Sequence, residues 1–183
     1  MTKKTQTSPP EGFLYQPDSL SIDEEQELVD HIRELPLKEY EFHSFIAKRR
    51  IIYYGWQYDS GESRIKETEP IPDFLQKMRA RAASFAALTT NDLALAQVIE
   101  YRPGAAIGWH RDRDVFGDIV GISLLASCNF RFRRKAGSTW ERYSLTAEPH
   151  SIYLLRGPSR AEWQHSIPSV DALRYSIIFR SLR

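Results

Sequence analysis

One cysteine, Cys128, stands among 183 residues. That excludes an internal disulfide and any cysteine-rich zinc site, and leaves the thiol to act as a small core hydrophobe. An excess of either charge is also lacking, since 25 Lys+Arg face 24 Asp+Glu for a net +1. The chain is therefore no polycation of the kind that coats nucleic acid, and any such contact must come from a local patch. No apolar run approaches the length of a membrane span, and the opening "MTKKTQTSPP" lacks the apolar core of a secretory signal. A cytoplasmic location, no membrane contact and no obligate protein partner are the expectations. Neither a G-x-G-x-x-G nor a P-loop pattern occurs, which argues against a nucleotide cofactor on a Rossmann-type sheet.

What is present is a chain that can bury a core, 42% hydrophobic and 12% aromatic. Residues 1–11, polar and ending near Pro9-Pro10, read as a disordered tail before a single domain over 12–183. Ser21 and Glu24 form a capping-box pattern, and Leu28, Val29, Ile32 and Leu35 follow at helical spacing. A second helix is predicted from about Pro72 to Leu88, with Phe74, Leu75, Met78, Ala82 and Phe85 on one stripe. Between them "KRRIIYYGWQYD" is strand-like and "SGESRIKETEP" reads as a mobile loop, so 38–69 is a candidate lid. From Leu93 onward, short runs rich in β-branched and aromatic residues alternate with turns. Two helices followed by many short strands predict an α+β fold: helices bracing a jelly-roll core.

The stretch "GWHRDRD" contains the chemistry-bearing pair. An extended backbone over 107–112 would put His110 and Asp112 on one face, where imidazole and carboxylate suit iron(II), manganese or zinc. A third ligand is needed, and spacing leaves it open among His31, His43, His150 and His165. His165 is favoured because it lies between two strand runs of the all-β half. In "LRYSIIFR", Arg174, Ser176, Ile178 and Arg180 share one strand face. Two arginines beside a core strand are costly unless an anion is bound there. Their Cα atoms stand roughly 20 Å apart, leaving a gap suited to a five-carbon dicarboxylate. The alternative is an edge strand with solvated arginines. Trp109, of opposite parity to His110, is expected in the core.

Three ordered motifs, "EYRPGAAIGWHRDRD", "RGPSR" with a following histidine, and "RYSIIFR", resemble those of the AlkB-like iron(II)/2-oxoglutarate dioxygenases. The resemblance covers the C-terminal half closely, and "GWQY" with the following helix more loosely. It implies a double-stranded β-helix with a substrate-recognition lid. It implies His110, Asp112 and His165 as catalytic iron(II) ligands, Tyr101 and Arg174 as contacts to the distal carboxylate of 2-oxoglutarate, and Arg180 near its metal-side carboxylate. O2 would be the second co-substrate. Trp56 and Tyr58 match aromatic lid positions, Asp114 a position that contacts the exocyclic nitrogen of an alkylated base, and Arg160 an arginine near the metal. Two positions depart from the family, Ile99 and Ser176, where many members carry asparagines that help hold 2-oxoglutarate.

The activity so implied is oxidative dealkylation of bases such as N1-methyladenine or N3-methylcytosine in DNA or RNA, releasing aldehyde, succinate and CO2. Local charge agrees with a nucleic-acid partner: "KRR" at 48–50, and "NFRFRRK" at 129–135, where strand parity turns Phe130 and Phe132 inward and Arg131 and Arg133 outward. A solvated sheet face fits those residues equally well. Two alternatives stand beside this reading. One is an oxygenase of the same chemistry acting on a protein or another nucleic-acid modification; the other is a non-catalytic jelly-roll binding module.

Overall fold

The computed structural model describes residues 8–42, 45–59 and 61–183, and the side chains at 40–47 are outside that description, as is His43. Thirteen strands are described: β1 (Phe13–Gln16), β2 (Lys38–Phe42), β3 (Phe45–Tyr54), β4 (Trp56–Asp59), β5 (Arg64–Glu67), β6 (Leu95–Tyr101), β7 (Ile107–His110), β8 (Phe116–Leu124), β9 (Cys128–Ala136), β10 (Thr139–Ala147), β11 (Ser151–Leu155), β12 (Gln164–Ile167) and β13 (Arg174–Leu182). The helices are α1 (Ile22–Arg33), α2 (Asp73–Phe85) and the short α3 (Gly157–Ala161).

Seven strands form the major sheet in the order β1-β11-β8-β13-β6-β3-β2, and four form the minor sheet in the order β10-β9-β12-β7. The two sheets enclose one apolar core, containing Ile99, Tyr101, Phe130, Phe132, Tyr153 and Ile178. The helices cover the opposite face of the major sheet, where Leu28, Ile32, Leu75 and Met78 meet Val98, Ile122, Ile177 and Phe179. This is the helix-braced double-stranded β-helix. Strand β13 shows the parity expected of it, with Ile178 in the inter-sheet core and Tyr175, Ile177 and Phe179 under the helices.

Helix α1 starts where its capping box predicts. The Glu24 amide donates to Ser21 Oγ at 3.1 Å, and the Ser21 amide donates to a Glu24 carboxylate oxygen at 3.0 Å. The same carboxylate accepts two bonds from the Arg81 guanidinium, at 2.9 and 2.7 Å, and so fastens α1 to α2. Arg81 and the Ser21 amide hold the Glu24 carboxyl well below the usual range. Its stabilisation is therefore complete above the ordinary glutamate pKa and fades as the pH falls below it. Glu24→Ala is expected to cost about 1–2 kcal/mol in chemical denaturation at neutral pH, with the difference from wild type shrinking in acid.

Two boundaries differ from expectation. Residues 8–11 are not a frayed tail: Pro10 is buried, and the Glu11 carbonyl accepts from the Ser159 amide at 2.8 Å. The stretch "SGESRIKETEP" is partly a strand, since β5 pairs with β4 as a two-stranded hairpin. The polar composition masked it, because the hairpin is laced with charges: Lys66 meets Asp59 across the strands at 2.5 Å and Glu62 of the turn at 3.1 Å. Strand β3, also within 38–69, is part of the major sheet and pairs with β6 over Arg49–Tyr54. Among the described residues, no helix is long and apolar enough to cross a membrane.

Candidate active site

His110 ends β7, the edge strand of the minor sheet, and Asp112 follows just beyond the strand end. His165 sits on the neighbouring β12 with His110 as its Cα partner, and the two imidazole centroids are 4.3 Å apart. The sheet register thus makes the third ligand, which chain spacing alone could not select. One ligand atom from each of His110, Asp112 and His165 lies within 4.8 Å of the others. The other two described histidines have different tasks. His31 stacks on Phe74 at 4.9 Å, and His150 bonds Glu25 at 2.8 Å.

The lone pairs are aimed by hydrogen bonds. His110 Nδ1 lies 2.9 Å from the Gly108 carbonyl oxygen, so the proton is assigned to Nδ1 and Nε2 is left as ligand. Burial, with His165 alongside, lowers the His110 pKa to about 4, which keeps the ring neutral near pH 7. Burial alone would raise the Asp112 carboxyl. The Arg180 guanidinium and the two imidazoles outweigh it and hold the group well below the usual carboxylate range. Arg180 Nε and Nη2 both donate to Asp112 Oδ1, at 3.0 and 2.8 Å, while Nη1 donates to Gln97 at 2.8 Å. Asp112 Oδ2 faces His165 Nε2 at 3.3 Å. Arg180 therefore orients the carboxylate, with one oxygen fixed and the other turned to the histidine.

Behind the three ligands is a cavity of about 50 Å³, walled by Ile99, Tyr101, Ile119, Phe130, Tyr153 and Ile178 among others. Arg174, on the same strand face as Arg180, is the Cα partner of Tyr101, and its guanidinium lies 5.0 Å over the Tyr101 ring. Only 1% of Arg174 is exposed. Its Nη2 donates to Ser123 Oγ at 2.7 Å, but Nε and Nη1 have no partner. A buried guanidinium with two orphaned nitrogens is expensive unless an anion completes it. Two imidazoles, one carboxylate and that unpaired cation fit an iron(II) ion and a dicarboxylate. The departures Ile99 and Ser176 are Cα partners of each other between β6 and β13.

The remaining expected residues do not line the cavity and lie on β4, on the turn after Asp112 and on α3. Tyr58, on β4, lies under the Arg113 guanidinium at 4.9 Å, which brings the β4–β5 hairpin against the turn that follows Asp112. Trp56 shares its strand and is half-buried. Asp114 is exposed on the turn. Arg160 is 3% exposed and donates through Nη2 to the Arg113 and Phe116 carbonyls, so it clamps the turn on which Asp114 sits. Trp109 is not in the core: it is half-buried on the outer face of the minor sheet, with Arg131 and Arg133 over its ring at 5.0 and 4.5 Å. Parity set its side correctly, but on that side two guanidinium groups, not apolar side chains, cover the indole. Of "KRR", Arg50 is neutralised by a bidentate pair with Glu100, both bonds 2.7 Å. Tyr153 was not foreseen: every residue of β11 is buried, so the alternation that marks a site face is missing. Its ring occupies the space that a Cβ at Gly121 would fill, with Tyr153 Cζ 2.1 Å from that position.

The 2OG-Fe(II) oxygenase superfamily matches this chain over residues 12–176. The chain belongs to that superfamily. It is similar to the alkylated DNA repair protein ALKBH8 homolog of Arabidopsis thaliana, 28% identical over 198 aligned positions that cover 94% of this chain and 56% of the relative. The chain thus spans little more than half the length of that relative. Among solved structures, OsALKBH1 superposes with a TM-score of 0.70 at 15% identity, covering 96% of this chain and 100% of the other. A Pseudomonas putida prolyl-4-hydroxylase gives 0.64 at 15% identity, covering 94% and 93%. The structural likenesses carry the fold. Together with the His110, Asp112, His165 triad, the superfamily match makes this an AlkB-like oxygenase using iron(II), 2-oxoglutarate and O2. The non-catalytic binding module is set aside.

Proposed function

We propose that the enzyme removes N-linked alkyl groups from nucleic-acid bases. The observation that carries this reading is the aromatic hairpin beside the ligand turn: Tyr58 is held against the turn after Asp112 by Arg113, with Trp56 two positions away on the same strand face. Aromatic faces beside the turn that follows a metal ligand suit a planar base taken out of its stack. The name of the Arabidopsis relative agrees with alkylated DNA as substrate.

Bound iron(II), with 2-oxoglutarate and O2, supplies the oxidising power that hydroxylates the alkyl carbon, giving succinate and CO2; the hydroxylated product then sheds an aldehyde. The chain's own residues bind and orient. In this reading, Arg174 and Tyr101 hold the distal carboxylate, and Arg180 aligns Asp112 beside the metal-side carboxylate. Apolar walls from Ile99, Phe130 and Ile178 exclude water. Asp114, on a turn clamped by Arg160, accepts from the exocyclic amino group of the base, and Trp56 and Tyr58 close over it. The β4–β5 hairpin is then the mobile part of the 38–69 lid.

The test offers the protein single- and double-stranded DNA and RNA oligonucleotides containing N1-methyladenine or N3-methylcytosine. Bases are read by mass spectrometry and succinate is followed in parallel. Loss of the methyl group in step with succinate is the expected result. Succinate formed without any demethylation in the panel would overturn the nucleic-acid reading and send the search to protein substrates.

A further inference from the structure

The outer face of the minor sheet bears charge that the reaction does not use. Arg131, Arg133 and Lys135 alternate along β9 on the side opposite Phe130 and Phe132, and Arg142 on β10 is the Cα partner of Arg133. The facing positions on β12 are Gln164 and Ser166, and those on β10 include Ser144 and Trp140. No aspartate or glutamate occupies this face, and among the described residues none of the four cations has a carboxylate partner. Two arginines directly opposite each other repel, so the arrangement is unfavourable for folding alone. Burial, with Arg142 and Arg131 nearby, pushes the Arg133 guanidinium down from its ordinary value.

The arginines are also immobilised. The Arg133 guanidinium lies between two indoles, 4.5 Å from Trp109 and 4.5 Å from Trp140, and its Nε donates to Gln164 at 2.7 Å. Arg131 covers the same Trp109 and donates to Ser166 Oγ at 3.2 Å. Fixed guanidinium groups lose less entropy on meeting an anion than free ones. Arg131 and Arg133 stand two positions apart on one strand, about 7 Å between Cα atoms, a spacing that suits successive phosphates of an extended strand.

We propose that this face is a phosphate track for the single-stranded nucleic acid that flanks the reacting nucleotide. Trp109 directly precedes His110, so β7 shows a metal ligand to the cavity and an indole to the track. Because β7 is the edge of its sheet and β12 alone separates it from β9, a strand leaving the cavity reaches Arg131 and Arg133 by rounding β7 and crossing β12. The inference rests on the nucleic-acid reading of the substrate and says which surface carries the rest of the chain.

The test is anisotropy titration of labelled 15-mer single strands, with and without one N1-methyladenine, against the intact protein. Metal and 2-oxoglutarate are present without oxygen, and the series is run from 50 to 200 mM salt. R131Q/R133Q/R142Q is expected to bind at least tenfold more weakly at low salt and to flatten the log–log salt dependence by about two, at roughly 0.7 per phosphate lost. K135E/R142E, which removes neither stacked arginine, is expected to weaken binding in the same direction should the triple variant prove unstable. Thermal midpoint and cobalt(II) absorption monitor the fold and the triad. Unchanged affinity and salt slope in both variants, with wild type binding and demethylating normally, overturns the track and leaves the substrate reading intact. Tighter binding of wild type to phosphatidylserine vesicles than to any oligonucleotide overturns the track as well. A wild type that neither binds nor demethylates any oligonucleotide overturns both.

Discussion

His110→Ala and Asp112→Ala are both expected to abolish succinate formation, and only the second to unfold the site. Each substitution removes one of three ligand groups, and a two-ligand site loses the geometry that holds iron(II) with open positions. Their structural costs differ because their surroundings differ. His110 makes one hydrogen bond, to the Gly108 carbonyl, so His110→Ala is expected to shift stability by no more than about 1 kcal/mol. Asp112 is the partner of Arg180, whose Nε and Nη2 both end on Oδ1. Removing that carboxylate leaves a part-buried guanidinium uncompensated, at about 3–5 kcal/mol. Asp112→Asn separates the two roles: its amide oxygen still accepts from Arg180 and recovers part of the stability, while metal-dependent turnover stays lost. Cobalt(II) titration, thermal unfolding and succinate release measure the three consequences. Wild-type turnover in His110→Ala would remove that residue from the ligand set, and equal stability losses in both alanine variants would refute the role given to Arg180.

The parts of this site that sequence made legible are those written in local periodicity. Ser21 and Glu24 marked the start of α1, and the two-residue alternation of β13 put Arg174 and Arg180 on the face that meets the cavity. His110 and Asp112 announced themselves by spacing, although the strand ends at His110 and the aspartate lies on the turn beyond. His165 could not be chosen that way, because what unites it with His110 is a register between β12 and β7 separated by some fifty residues of chain. The family resemblance supplied it. Tyr153 lay hidden in a strand buried on both faces, and β5 hid in a polar stretch dense in ion pairs. Trp109 shows the converse: parity told which way the indole points, but not that arginines on a neighbouring strand would cover it.

Arg174→Met is expected to make the protein more stable without 2-oxoglutarate and nearly blind to it. In the structure this guanidinium is buried with Nε and Nη1 unpartnered, and its one hydrogen bond is to Ser123 Oγ. Replacing such a group by an apolar side chain of similar length relieves the desolvation cost, so ligand-free stability should rise by about 1–3 kcal/mol, less the loss at Ser123. The opposite holds once the dicarboxylate is offered. A buried charge-assisted pair removed from one side costs about 2–5 kcal/mol of affinity, which is roughly 30- to 5,000-fold in the 2-oxoglutarate requirement. The stability curves of wild type and variant should therefore cross as 2-oxoglutarate is added, since a ligand stabilises only the state that binds it. Thermal shift against 2-oxoglutarate concentration, with manganese(II) in place of iron and without oxygen, displays the crossing directly. Ile99 and Ser176, near this arginine in the sheet, offer no side-chain amide, so in the proposed reading the distal carboxylate depends on Arg174 and Tyr101. Tyr101→Phe, which keeps the ring beneath the guanidinium, should raise the requirement by a smaller factor than Arg174→Met. If Arg174→Met is destabilised without ligand and keeps its affinity, the arginine is a structural residue and the dicarboxylate is held elsewhere.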